Sequence, residues 1–544
     1  MATYYVKTGG NDASAGTSDG AAWANCPGMV AWSGTATLSS GDIVYFHEGD
    51  TWEGADSDGT VPVLETTAGV KYYGLGYGTA GTRAILKSIS TSTATPSVGV
   101  VNVKVSNVTV DSIEVDANEK YAGGIYVGLH ATAAVSNVTV NNCVVHNVGN
   151  SDFDAALTKY LYGIIVGNTT SGTASEFLKT ENIIITNNTV YNVAHEGIAV
   201  YPSRQYSCWV DNVLIRGNTV YNTGHWGGAT WGHGIDAGIH STNITIEFNY
   251  VYNTYAGISV FTYSDKHDPP ETLHDSNYPN SIGFPDNVII RYNIVDRPIG
   301  TGYPGITFGP INNTYTGWGT VYVYSNILMD GGFYMGGGNF VGAANLIYNN
   351  TIRTSLGSIA RGLYLSEAAT NVEGIQWKNN IVYSTAGSAY LLYDYGGLLS
   401  ASQHSKNMIY VPSGNVGWVY VDGSRVQRTM ANIATWEGDI VAADPTFTGG
   451  TLPTGFSGTY GTDMVPNTTY FLPQAGSLAL NNGVVLGSPY NKAINNAGTS
   501  DSAKTRGTDH YDIGAYEYPL SDAAAAAIRA IFRIGGKNRF YYTP

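Results

Sequence analysis

The chain has 544 residues, only 12% of them charged, with a net charge of −15 and a pI near 5.1. That balance disfavours nucleic acid and anionic membrane as partners, because both reward a basic face, and it weighs against a strongly polyanionic substrate. The 68 glycines and 41 tyrosines fit strands and turns better than helices. Three cysteines, Cys26, Cys143 and Cys208, are too few for a disulfide framework, and the odd number leaves at least one unpaired.

Met1-Ala2-Thr3-Tyr4-Tyr5-Val6 enters a strand directly, without the basic start, apolar run and small-residue cleavage site of a secretory signal. No stretch approaches the roughly 20 apolar residues of a membrane span. Residues 1–85 read as a cap with the first coils. Tyr4-Tyr5-Val6-Lys7-Thr8-Gly9-Gly10-Asn11-Asp12 leads through a small-residue loop to the strand-like Gly41-Asp42-Ile43-Val44-Tyr45-Phe46.

Regular coils are expected over 86–412. Asn142, Asn188, Asn218, Asn249, Asn293, Asn326, Asn350 and Asn380 are spaced 46, 30, 31, 44, 33, 24 and 30 residues apart, each with Val, Leu or Ile two positions later. A second signature follows in most units: Gly163-Ile164, Gly197-Ile198, Gly234-Ile235, Gly257-Ile258, Gly305-Ile306 and Gly362-Leu363. Self-similarity at such a period means a solenoid, in which a repeat buries its apolar face only by stacking on neighbours. Within a unit the apolar residues alternate, as in Val213-Leu214-Ile215, so each coil adds short strands to long parallel sheets. The asparagine suits a turn where its amide bonds the copies above and below. The expected fold is all-β, a parallel β-helix.

Two units are longer than the rest and carry insertions, at about 149–161 and 262–284. Loops of this length are usually functional, and this pair brackets two coils as the walls of a cleft would. One of those coils reads His195-Glu196-Gly197-Ile198-Ala199-Val200-Tyr201, the next Trp231-Gly232-His233-Gly234-Ile235-Asp236-Ala237. Aligned on Gly-Ile, Glu196 falls beside His233, about 4.8 Å away at the backbone. Alternation points Asp236 outward, where it is expected to be exposed. Glu196 and His233 have inward parity but stand at the bend before the strand, where alternation need not hold.

Residues 413–518 are less periodic and read as closing coils and a cap, with Asp512-Ile513-Gly514-Ala515-Tyr516-Glu517-Tyr518 supplying a last strand. The tail, 519–544, changes character: Ala523 to Ala527 is helix-prone, and Arg529, Arg533, Lys537 and Arg539 make it basic.

The opening nonapeptide, the Gly41-Asp42-Ile43-Val44 strand, the Asn and Gly-Ile ladders and the closing Asp-Ile-Gly-Ala-Tyr-Glu-Tyr together resemble one superfamily over nearly the whole chain before the tail. It is the right-handed parallel β-helix, pectin-lyase-like group of polysaccharide lyases, glycoside hydrolases, epimerases and phage tailspikes. The resemblance implies a right-handed coil, a polysaccharide as partner, and a place outside the cell or on a phage particle; a tailspike would be a homotrimer. The site column is similar to that of β-helical polygalacturonases, with Gly232-His233-Gly234 matching their Gly-His-Gly and Glu196 standing where an acidic residue would. Their Asn-Thr-Asp, adjacent Asp pair and Arg-x-Lys are absent from this sequence, so the likeness carries the location of the site and not the enzyme.

Three functions are consistent with these residues. The first is glycoside hydrolysis, in which one carboxyl protonates the leaving oxygen while another activates water or attacks the anomeric carbon. Here Glu196 is the expected acid, Asp236 the base and His233 the group that orients one of them, with the carboxyls at an inverting separation of about 6.5 to 9.5 Å. Trp226 and Trp231 are candidate sugar-stacking platforms, and Tyr201 falls beside the cleft. The second is a lyase or epimerase acting on a uronate polymer, for which Lys159, Tyr160 and Arg204 on or near the bracketing loop would matter more. No cofactor is required by the sequence; Ca²⁺ is the ion that Asp265, Asp268 and Glu271 on the acidic loop would take. The third is a non-catalytic glycan binder of the tailspike kind.

Overall fold

Each turn of the chain lays down three strands, one in each of three long sheets, and returns beside its starting point. In this computed structural model sheet A has 13 strands from Thr3–Val6 to His404–Ser405, sheet B has 13 from Leu64–Glu65 to Ser424–Thr429, and sheet C has 12 from Thr51–Gly54 to Met408–Tyr410. The residues described are 1–517 without 55–61, 80, 90–97, 121–122, 150–160, 168–177, 202–207, 225–231, 239, 263–284, 297–303, 311–318, 337, 340–343, 356–360, 366–368, 371–373, 387–389, 395–402, 422–423, 434–439, 458–464, 495–502 and 507–510. A representative coil runs Cys208–Arg216 in sheet A, Thr219–Thr223 in C, His233–Ala237 in B and on to Ser241–Glu247 in A. Neighbouring coils pair in parallel until the antiparallel hairpin Asn415–Val421 with Ser424–Thr429. The interior is apolar and β-branched: Val213, Ile215, Val220 and Ile235 are at most 1% exposed, as expected where stacked short strands share one continuous core.

The corner between sheets A and C carries the asparagine ladder. Asn188 donates its backbone N–H and its Nδ2 to Asn218 Oδ1, both at 2.9 Å, while Nδ2 also reaches Val140 O at 3.0 Å. The same set recurs from Asn218 to Asn249 and onward to Asn407. One expectation is corrected. Asn142 is not the first rung, because Val144 pairs with Thr189 and so places Cys143 opposite Asn188. Cys143 donates its N–H to Asn188 Oδ1 at 2.9 Å, and its thiol, a weak donor, ends the amide series. The residue before each rung turns left-handed, as at Asn187 (φ 56°), Gly217 (69°) and Asn349 (57°).

The closing segment is the second correction. Instead of a last strand, residues near 511–516 make only isolated bridges, Gly483 with Tyr511 and Ile494 with Tyr516. The chain lies across the A–C corner of several coils: Gly514 N donates to Asn379 O (2.8 Å), Ala515 N to Thr351 Oγ1 (2.9 Å) and Asn379 Nδ2 to Val484 O (2.8 Å). Gly514 has φ 99°, and a Cβ there would stand 2.7 Å from both Thr351 Oγ1 and Ile381 Cδ1. This backbone turns against the coils and cannot extend the sheets. Among the described residues no helix is long and apolar enough to cross a membrane.

Candidate functional site

The glycine of each Gly-Ile pair is set by sterics at the corner between sheets C and B. A Cβ on Gly197 would lie 2.4 Å from Val220 Cγ1 in the core and 2.6 Å from Gly234 O; on Gly234 it would lie 2.3 Å from Val251 Cγ1. Gly and the following Ile therefore both face inward, which breaks the alternation. The residue before the glycine is thereby turned outward, and in successive coils that residue is Tyr162, Glu196 and His233.

Pairing of Ile198 with Ile235 and Ala199 with Asp236 sets Glu196 beside His233, with Asp236 three residues further along the neighbouring strand. One ligand atom from each of Glu196, His233 and Asp236 lies within 4.8 Å of the others. His195 Nδ1 and His233 Nδ1 stand 3.4 and 3.6 Å from Glu196 Oε1. Ser259, which pairs with Asp236 across the next coil, donates its hydroxyl to Asp236 Oδ1. Glu196 Oε2 is buried and has no hydrogen-bond partner among the described residues.

The pKa values of the two carboxyls are shifted in opposite directions. Burial disfavours ionising either. At Glu196 the desolvation is outweighed by His195 and then His233, and its pKa is held below the usual carboxylate range. At Asp236 burial is reinforced by the charge of Glu196 and only partly offset by His233 and Ser259, so its pKa rises well above that range. Two carboxyls this close share one negative charge.

Three expectations change here. Asp236 faces outward yet is 1% exposed. The carboxyl oxygens approach to within 4.8 Å, closer than the inverting separation, because the turn at Gly197 swings Glu196 toward Asp236. The electrostatics also favour the reverse of the expected roles, with Asp236 holding the proton and Glu196 ionised. Tyr201 lies at the far end of the Glu196 strand, half-buried, with its N–H on Val166 O at 2.8 Å. Lys159, Tyr160, Arg204, Trp226, Trp231, Asp265, Asp268 and Glu271 lie outside the described residues, as does most of both insertions.

His195 and Ser259 were not singled out from the sequence. Ser259 was legible in principle: in Gly257-Ile258-Ser259-Val260 it holds the position that Asp236 holds one coil earlier. One imidazole and two carboxylates can also hold a divalent cation, a mixed nitrogen and oxygen set suited to a transition metal more than to calcium.

Residues 97–268 match the family described as Right handed beta helix region. No curated protein matches in sequence. Among solved structures the chain is similar to pectate lyase Pel9A, with 14% identity over 95% of this chain and 97% of that one and a TM-score of 0.38. A rhamnogalacturonan lyase shares 14% identity over 75% and 87%, with a TM-score of 0.38. The GH136 lacto-N-biosidase from Eubacterium ramulus shares 12% over 75% and 68%, with a TM-score of 0.37. With its three stacked parallel sheets and the family match across residues 97–268, the chain has the fold of a right-handed parallel β-helix.

Proposed function

We propose that this protein is a carbohydrate-active enzyme, a glycoside hydrolase that cleaves a polysaccharide at Glu196 and Asp236. The observation that carries this reading is the pair of buried carboxyls within 4.8 Å, one depressed and one raised in pKa. Glycoside cleavage needs such a division, with an acid that is protonated at working pH and a carboxylate that is not. Asp236 would protonate the leaving oxygen. Glu196 would attack the anomeric carbon and form a glycosyl ester, which water then hydrolyses with Asp236 as base; the short separation suits this retaining course more than an inverting one. His195 and His233 keep Glu196 ionised, and Ser259 fixes the Asp236 carboxyl. An extracellular or phage-borne setting goes with a polysaccharide substrate.

The convergence of Glu196, His233 and Asp236 favours one other reading, a metal-assisted lyase or epimerase, in which a divalent cation would neutralise a uronate and ionise both carboxylates. A panel of neutral and uronic polysaccharides separates the two, read for new reducing ends and for unsaturated-uronate absorbance, with and without EDTA. Reducing ends without absorbance, insensitive to EDTA and abolished in Glu196→Gln, are expected. EDTA-sensitive absorbance would replace the hydrolase with the lyase, and glycan binding without either product would leave a binding protein.

A further inference from the structure

Glu196, His233 and Asp236 each present a ligand atom within 4.8 Å of the other two, and all three are nearly buried, at 3, 6 and 1% exposure. Proximity of acidic groups is common and by itself means little. What sets this trio apart is Glu196 Oε2, buried and without a hydrogen-bond partner among the described residues. An unsatisfied buried carboxylate oxygen is costly, and an ion is one of the few occupants that would satisfy it. The low dielectric around buried groups also strengthens their attraction for a cation.

The trio is held by paired strands. Glu196 opens the strand Glu196–Val200, His233 opens His233–Ala237, and Asp236 lies within the second. Pairing of Ile198 with Ile235 and Val200 with Ala237 locks their register. The Ser259 hydroxyl donates to Asp236 Oδ1 and fixes that carboxyl's orientation.

A tetrahedral zinc ion takes oxygen and nitrogen ligands at about 2.0–2.2 Å, which sets them roughly 3.4 Å from one another. Atoms already within 4.8 Å need to close by no more than about 1.4 Å, a distance that side-chain rotation covers. Three protein ligands leave the fourth position to water, as in open zinc sites generally. Calcium fits less well, since it takes six to eight oxygens, whereas an imidazole nitrogen with two carboxylates suits zinc.

We infer that Glu196, His233 and Asp236 form a site for a divalent transition-metal ion, zinc by its donor set, and that the bound ion shuts the enzyme off. The inhibitory role rests on the hydrolase reading. Ligation occupies the Glu196 lone pair that attacks the anomeric carbon, and it occupies Asp236, through which the leaving oxygen is protonated. An ion required for activity would belong to the metal-assisted lyase instead.

The test titrates zinc chloride into the EDTA-treated and dialysed full chain by calorimetry, beside Glu196→Gln and His233→Gln, with calcium chloride as the comparison ion. Release of reducing ends from the polysaccharide that wild type cleaves is measured over the same zinc concentrations. Zinc is expected to bind more tightly than calcium, and each variant to weaken it by at least about tenfold, since changing a group that merely supports a metal ligand already costs that much. Hydrolysis should fall by half at the zinc concentration that half-fills the site, and return when EDTA removes the ion. An anomalous difference map from a zinc-soaked crystal locates the ion without any substitution, so a misfolded variant does not decide the matter. Zinc that fails to bind, binds both variants as tightly as wild type, or scatters only from elsewhere overturns the inference and leaves the hydrolase standing. Zinc held by these residues that raises product release overturns the inhibitory role and the hydrolase together.

Discussion

At the corner between sheets A and C, eight asparagines from Asn188 to Asn407 are at most 1% exposed, and each amide is bonded to its neighbours and to backbone. At the next corner of the same coils, Glu196, His233 and Asp236 are nearly as buried, at 3, 6 and 1%, yet among the described residues Glu196 Oε2 has no hydrogen-bond partner and two carboxyls compete for one charge. The difference lies in what is stacked. Identical amides repeat a donor-to-acceptor pattern indefinitely, so every buried polar group is satisfied. Unlike ionisable groups in adjacent coils cannot, and the remaining imbalance is a perturbed site of the kind that chemistry uses.

The sharpest way to break this comparison is to neutralise one corner and not the other. Glu196→Gln should lower activity by about 10³-fold while melting near wild type, because an acid–base or nucleophilic carboxylate is lost and no core contact changes. Equal losses of activity and stability would make Glu196 a structural group like the asparagines. Asn249→Ala should do the opposite. It removes the acceptor for Asn218 N and Nδ2 and the donor to Ile215 O, at a cost of about 3 kcal/mol by denaturant unfolding, while the kinetics of the remaining folded enzyme stay unchanged.

Next in size is a dependence on pH. Asp236 has a folded pKa above its unfolded value of 3.8, so the folded state binds the extra proton between those two values. Stability from this group is therefore greatest below the unfolded pKa and declines as pH rises toward the folded one. Asp236→Asn should raise the melting temperature at neutral pH and flatten its decline over that window. Activity should fall on the alkaline side as Asp236 loses its proton. A wild-type alkaline limb lying in the ordinary carboxylate range would assign the acid to another group.

The smallest effect would sharpen the ladder itself. Cys143→Asn adds an amide at the position whose N–H already bonds Asn188 Oδ1, and should stabilise the protein by about 1 kcal/mol. No gain would mean that the ladder stops there for want of space.

The ladder was legible because Asn188, Asn218 and Asn249 recur with Val or Ile two positions later, and only a self-stacking coil rewards such repetition. Two rungs were misread: Asn407 was missed, and Asn142 was taken for Cys143 because two adjacent asparagines, Asn187 and Asn188, follow one coil later and either satisfies the spacing. That Glu196 and His233 are neighbours in adjacent coils was legible from His195-Glu196-Gly197 and Gly232-His233-Gly234, but the geometry among the candidate residues was misjudged. Simple alternation places Glu196 inward, and only the lack of room for a Cβ on Gly197, which would stand 2.4 Å from Val220 Cγ1, shows why it turns out.

The sequence by itself thus determined the fold, the coil period and which residues share a column, since these follow from local alternation and from repetition along one dimension. Tertiary structure alone decided that Asp236 is buried, that it meets Glu196, and that burial and the Glu196 charge raise its pKa. Burial and charge coupling depend on neighbours one coil away in space and 30 or more residues away in the chain, as at the 40-residue step from Glu196 to Asp236, and no local pattern encodes their sum.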